Sequence, residues 1–544
     1  MSDSSPFDKS AVVDWPKAFQ AHYKAMGLWE DLPLSHILDS AVQRFPEHVA
    51  VIDQQHQWTY QQLHDKASQL AVGLVALGIH RGDRVVLQLP NCGELFEVLF
   101  ALFKIGAIPV LALPAHRGLE IRYFIEFTQA KAYITCDKAG GFDYRQLARL
   151  CCEDFKSSQV LVVGDAQEFT PLKDVYKDGE YQQEGEASDV ALLQLSGGTT
   201  GIPKLIPRTH NDYLYSVRAS AELCELDQHT VYLAVLPVLH NFPLSSPGAL
   251  GTFYAGGTVV LSQSGAPDIA FPLIENHKVT HCALVPPLAI TWMNALKGAD
   301  ANLVSLKVLQ VGGAKFSSEV ANRFYDFFDC KLQQVFGMAE GLVNYTRLSD
   351  ERSVITHTQG KPLSPFDEVR VLDEDDRPVK AGEVGHLVTR GPYTIRGYYQ
   401  APEHNLKSFT ADGFYRTGDL VRLTDKGYLV VEGRDKDQIN RGGEKISAEE
   451  VENQLLAHVL ISDVAVVAML DEFLGERTCA FIIPKDLSNP ISLIQARKFL
   501  RARGLAEYKL PDRIEVVDHF PTTKLGKVSK KDLRKKIEVA LGQL

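Results

Sequence analysis

Short apolar runs rich in β-branched residues recur between residues 84 and 313, and they leave few options for the architecture. They read RVVLQLP from Arg84, AIPVLALP from Ala107, QVLVVGD from Gln159, VYLAVLP from Val231, GTVVLS from Gly257, HCALVPP from His281 and LKVLQVGG from Leu306. Several are separated by stretches of helical periodicity, such as CGELFEVLFALFKIG over 92–106. Runs that are apolar throughout and alternate with helices predict mostly parallel sheets covered on both faces, because a half-exposed strand would alternate in polarity. In such sheets ligands bind at the carboxyl ends of strands. VGGA (311–314) and VFGMAEG (335–341) fall there.

A chain of 544 residues exceeds one comfortable core and predicts two or more domains. After residue 360 the texture changes to short strands with Gly-rich turns, as in GEVGHLVTRGPYTIRGYY and DKGYLVVEGRDKDQINRGGEKI. Ser447 and Glu450 then have the spacing of a capping box at a helix start. Strand-like VAVVAML (464–470) and CAFIIP (479–484) and a helix-rich end follow. The charged, turn-prone GRDKD predicts a boundary near 433–436, dividing the chain into 1–434 and a small α+β domain over 435–544.

Composition narrows the function classes. Hydrophobic residues make up 45% and charged residues 23%, as in an ordinary globular protein. A net charge of -11 argues against nucleic acid as the partner. The eight cysteines form no C-x-x-C pair, the pattern of reduced thiols in a cytoplasmic protein. The polar N-terminus has no signal-peptide pattern. The most lipid-like run, Leu95 to Pro114, is broken by Lys104 and Pro109 and reads as a helix entering a buried strand, with no membrane span expected.

The stretch LLQLSGGTTGIPKLIPRTH (192–210) concentrates Ser196, Gly197, Gly198, Thr199, Thr200 and Gly201 ahead of Lys204. It is not a Walker A loop, which needs G-x-x-x-x-G-K-[ST] opening a helix. Apolar runs on both sides predict a strand–loop–strand hairpin whose tip offers backbone N–H groups and hydroxyls to a phosphate. A tip without a helix dipole suits a phosphate group that must leave. Four more stretches bear on it. VFGMAEG places Glu340 after a predicted strand, where a carboxylate can hold Mg²⁺ on phosphate. FYRTGDL (414–420) ends near Asp419, a partner for ribose hydroxyls. EGRDKDQINRGGEKI (432–446) carries Arg434, and PTTKLGKVSK (521–530) sets Lys527 on a turn.

In this order and spacing the chain resembles the adenylate-forming superfamily of acyl- and aryl-CoA ligases, luciferases and nonribosomal peptide synthetase adenylation domains. The resemblance runs from about residue 30 to 535. It implies an α/β fold: a large N-terminal domain of stacked, mostly parallel sheets with flanking helices, a small β-barrel-like subdomain, and a small mobile α+β C-terminal domain. It implies that residues 196–204 grip the β and γ phosphates of ATP and that Glu340 binds Mg²⁺. By the same resemblance Gly312, Gly313 and Ala314 lie along adenine, and Asp419 with Arg434 holds the ribose. Lys527 would reach from the small domain to the reacting carboxylate and α-phosphate. Lys436 falls at the hinge position and Gly443 on the path of a phosphopantetheine arm. Ala339 departs from the Thr that many relatives carry before the glutamate; a subgroup of aryl-acid enzymes shares the GMAEG form.

The segment LPVLHNFPLSSPG (236–248) bears on the acid. Amino-acid-activating relatives carry an Asp near this point to pair with the substrate ammonium, whereas Asn241 offers hydrogen bonds without charge. Ser246 adds a second small polar group, and the resemblance sets Phe242, Ala314, Val335 and Val343 along the walls. His240 matches the family's mobile aromatic gate near the reacting carboxylate. The pattern is similar to stand-alone 2,3-dihydroxybenzoate–AMP ligases of siderophore pathways, with Ser246 favouring the 3-hydroxyl over salicylate. A salicylate- or benzoate-activating ligase using a carrier protein or CoA is the alternative. No carrier segment follows Lys527, so the acceptor thiol is expected on a separate aryl carrier protein.

Overall fold

The computed structural model describes residues 9–152, 159–179, 181, 185–196, 204–298, 301–434, 438–441, 444–471, 474–503, 505, 507–523 and 527–542. The apolar runs become strands, but of two separate sheets. A seven-stranded sheet has the order Leu205–Thr209, Val190–Leu195, Ile108–Leu111, Arg84–Leu87, Ala132–Cys136, Gln159–Val163, Thr170–Pro171. All its neighbours run parallel except the edge hairpin of Val190–Leu195 with Leu205–Thr209. A nine-stranded sheet takes Val231–Ala234, Thr258–Leu261, His281–Leu284, Val308–Gly312 and Lys331–Gly337 as its parallel centre with Val49–Ile52. Antiparallel strands, including Val343–Tyr345, close its ends.

Helix Gly93–Ile105 shows why the most lipid-like stretch belongs to a core. Nearly every side chain on it is buried, and Gly106 ends it in the left-handed conformation at φ 67° before the strand Ile108–Leu111. Lys104, only 1% exposed, pairs with Asp39 at 2.6 Å. Among the described residues no helix is long and apolar enough to cross a membrane.

The later strands Glu368–Leu372, Val384–Arg390, Tyr415–Leu423 and Leu429–Arg434 form a four-stranded antiparallel sheet. The small C-terminal domain has its own cores, one around Ile446, Val451, Val466 and Ile482 and another around Val467, Phe481 and Leu533. Ser447 caps helix Ala448–Leu456 by accepting from the Glu450 N–H at 3.3 Å, as its spacing predicts. The return bond of the capping box does not form, because the Glu450 carboxylate is taken by Lys509 at 2.6 and 2.7 Å. The Ser447 hydroxyl instead donates to the Glu432 carbonyl at 2.9 Å, tying the C-terminal domain to the four-stranded sheet.

One buried ion pair joins the layers at the site. Arg208, in the second strand of the edge hairpin, donates from Nε to Asp212 at 2.6 Å. Its other nitrogens donate to the Ala339 carbonyl at 2.9 Å and the Tyr393 carbonyl at 3.1 Å. Asp212 also completes a capping box with Thr209, which starts helix His210–Leu223 directly from the strand. Removing one partner of a buried pair leaves an uncompensated charge, at about 3–5 kcal/mol. Arg208→Met should therefore lower unfolding stability by about that amount in urea denaturation. Adding Asp212→Leu should recover only part of it, because the two carbonyls stay unpaired.

Candidate active site

The hairpin expected to hold phosphate forms as an antiparallel pair with Leu195 opposite Leu205. Its last described rung uses both ends: Ser196 N–H donates to the Lys204 carbonyl at 2.9 Å, and Lys204 N–H donates to Ser196 Oγ at 3.0 Å. Ser196 thus spends a lone pair on the hairpin itself. Gly197, Gly198, Thr199, Thr200 and Gly201 lie outside the described residues.

The residues expected to line an acid pocket come together where strands of the nine-stranded sheet end. Gly312 pairs with Val335 and Gly337 with Val343 in the registers of neighbouring strands. The Phe242 ring packs against Gly312, where an added Cβ would lie 3.0 Å from Phe242 Cζ and 2.7 Å from the Val335 carbonyl. Only glycine fits. Val343 likewise packs over Gly337. Asn241 and Phe242 open the short helix Asn241–Ser245, and Asn241, Phe242, Ser246, Val335 and Val343 are all buried. Ala314 is exposed beyond the strand end.

Lys527 meets this site from the C-terminal domain. Its Cε lies 3.8 Å from where a Gly313 Cβ would stand, and Gly313 adopts φ +79°. Thr523 closes the turn that presents it, donating its N–H to the Lys527 carbonyl at 2.6 Å. His240 Nδ1 accepts from the Phe242 N–H at 3.4 Å, capping the short helix and leaving the ring proton on Nε2. Burial first, and the Lys527 charge second, push the His240 pKa down to about 4. The imidazole beside the ammonium is therefore neutral at physiological pH.

Glu340 sits in the turn after strand Lys331–Gly337, held by the Ile395 N–H on its carbonyl at 2.8 Å and by Arg208 on the preceding Ala339. Its Oε1 accepts from the Tyr398 hydroxyl at 2.8 Å, and that phenol also meets Tyr415 at 2.9 Å. Asp419 is buried and stands opposite Arg434 in the register of the antiparallel sheet. The Arg434 side chain, Lys436 and Gly443 lie outside what is described. On the seam between the domains Lys315 reaches Glu449 at 3.6 Å and Glu432 at 4.0 Å. Burial raises Glu449 to about 7 although Lys315 opposes it. A cleft of about 590 Å³ opens there, lined by Lys315, Glu432, Gly433, Ser447 and Glu449; none of the acid-pocket residues borders it.

The sequence pattern described as AMP-binding enzyme matches residues 38–399, and that of the AMP-binding enzyme C-terminal domain matches 450–527. The chain belongs to the AMP-binding enzyme family. It is 58% identical to a 2,3-dihydroxybenzoate-AMP ligase of Bacillus subtilis, over 97% of this chain and 98% of that protein. It is 51% identical to the vibriobactin-specific 2,3-dihydroxybenzoate-AMP ligase of Vibrio cholerae, over 96% and 97%. Among solved structures it is similar to apo MbtA of Mycobacterium smegmatis, with 43% identity, a TM-score of 0.76 and coverage of 97% of this chain and 99% of that one.

In this AMP-binding enzyme the sequence reading does not single out Arg208, Tyr398 or Lys315. Arg208 had a signal: a charged residue in an apolar strand, four positions before an Asp at a helix start. Tyr398 and Lys315 had none, because their partners are distant in sequence. The His240 environment makes a measurable statement. In a ¹³C-histidine NMR titration its resonance should stay neutral at pH 5.5, with a midpoint near 4. Lys527→Ala should move that midpoint upward, towards but not up to the ordinary imidazole value, since burial persists.

Proposed function

We propose that this AMP-binding enzyme adenylates an aromatic acid, 2,3-dihydroxybenzoate, and passes the acyl group to the phosphopantetheine thiol of a separate aryl carrier protein. The observation that carries the reading is Lys527, which the C-terminal domain delivers against Gly313 and beside His240. Two anions, a carboxylate and the ATP α-phosphate, have to approach each other, and a fixed ammonium there offsets their repulsion. The carboxylate is already ionised near neutral pH, so no general base is required. Its oxygen attacks the α-phosphorus and pyrophosphate leaves. In the second step the thiol gives its proton to solvent, its sulfur attacks the acyl carbon, the bond from that carbon to the phosphate oxygen breaks, and AMP leaves.

The remaining roles follow the same reading. Gly197 to Gly201 with Ser196 and Lys204 hold the departing phosphates, and Gly312, Gly313 and Ala314 border the adenine. Asp419 and Arg434 hold the ribose. Glu340 suits Mg²⁺: Tyr398 binds Oε1, Oε2 has no hydrogen bond from another described residue, and a carboxylate is the hard ligand this ion prefers. Such an ion would neutralise charge on the leaving pyrophosphate. Neutral His240 offers its Nε2 proton near the acid without adding a second positive charge. The two units, 1–434 and 435–544, would change relative position about Lys436 between the two steps, with Gly443 then bordering the pantetheine path.

Asn241 in place of a carboxylate, and Ser246 beside it, favour a hydroxylated benzoate over an amino acid. The similarity to two 2,3-dihydroxybenzoate-AMP ligases supports the same acid. Acid-dependent exchange of labelled pyrophosphate into ATP tests the reading. Exchange should be strong with 2,3-dihydroxybenzoate, weaker with salicylate and absent with amino acids. Lys527→Ala should lower it by about 10²–10³-fold. Folded protein that exchanges with no acid would overturn the proposal.

A further inference from the structure

A hydrogen-bond chain runs behind Asn241, through residues not assigned to the acid pocket. Gln194 Nε2 donates to the Tyr213 phenol oxygen at 3.3 Å, and Tyr213 O–H donates to Asn241 Oδ1 at 2.9 Å. Ser245 Oγ also lies 3.2 Å from that oxygen, but shares its one proton with the Asn241 backbone carbonyl at 3.1 Å. Tyr213 is fully buried, with the Arg208 guanidinium 4.7 Å from its ring centroid. Burial raises its pKa, so the phenol keeps its one proton. A phenol that accepts from an amide and holds one proton has to donate onward. Asn241 Oδ1 is thereby the end of the chain, and the hydrogen-bonding capacity left to the carboxamide is the donor Nδ2.

We propose that Tyr213 is a positioning residue that sets the hydrogen-bond polarity of Asn241, so that the pocket selects an acid with an acceptor at the ortho position. The inference rests on the aryl-acid reading above and deepens it. In an ortho-hydroxybenzoate the 2-hydroxyl proton bonds the adjacent carboxylate, so its oxygen turns lone pairs outward, towards Asn241 Nδ2. A 2-amino group, of similar size, gives one proton to the carboxylate and turns a second N–H outward, donor against donor. Leaving such a buried polar group unpaired is more costly than the net worth of the bond itself.

The test compares ratios of kcat/KM in pyrophosphate exchange. Wild-type protein should prefer salicylate to 2-aminobenzoate, and Tyr213→Phe, which frees Asn241 to rotate, should narrow that ratio about tenfold. A purely structural role would lower both acids together, and an unchanged ratio would overturn the inference. If Tyr213→Phe fails to fold in a thermal melt, Gln194→Met removes only the first link and should narrow the same ratio by less. An unchanged ratio there would equally overturn it. Wild-type protein that exchanges with no aryl acid would sink the aryl-acid reading itself, a result distinct from wild-type exchange with invariant ratios.

Discussion

The guanidinium of Arg208 is the point on which the site depends. A charge this deeply buried is stable only if its donors find acceptors and its counter-ion is itself satisfied. Asp212 meets that demand, accepting from Arg208 at one oxygen and from the Thr209 N–H and hydroxyl at the other. The remaining donors go to the carbonyls of Ala339 and Tyr393. Each bond reaches a different part of the molecule: the hairpin, the helix behind it, the turn bearing Glu340, and the segment that leads to Tyr398. The pair contributes little net stability compared with an apolar substitute. What it contributes is geometry, because none of these pieces can move without breaking a charged hydrogen bond.

The surroundings of Lys527 follow a second electrostatic rule. Burial and the Lys527 ammonium both disfavour protonation of His240, so the imidazole stays a neutral donor beside a cation. A second positive charge there would repel the first. Across the seam the opposite combination occurs. Lys315 favours the Glu449 carboxylate, yet burial prevails and the group sits near 7. The domains therefore meet through Lys315 and its two carboxylates on one side and through Lys527 on the other.

Much of this was legible in the residues. The apolar runs are strands where periodicity places them, helix Gly93–Ile105 ends at its glycine, and Ser447 caps a helix. Periodicity does not say which strands share a sheet, since a run that is apolar throughout has no marked face and pairs equally well with any similar neighbour. The capping box at Ser447 is half made because Lys509, 59 positions from Glu450, competes for its carboxylate. Arg208 and Ala339 are 131 positions apart, and Tyr398 and Glu340 are 58 apart, so local pattern carried no trace of either contact.

By itself the sequence determined which chemical groups this protein has and in what order: a Ser/Gly/Thr-rich hairpin, a carboxylate on a turn, an amide at Asn241, and a lysine at 527. Those follow from residue type and spacing, which are local. Tertiary structure decided what each group offers. Asn241 is a donor because the Tyr213 hydroxyl occupies its oxygen, and His240 is neutral because Lys527 and the core surround it. A side chain's proton goes where its partners leave room for it, and those partners are brought together only when the chain has folded.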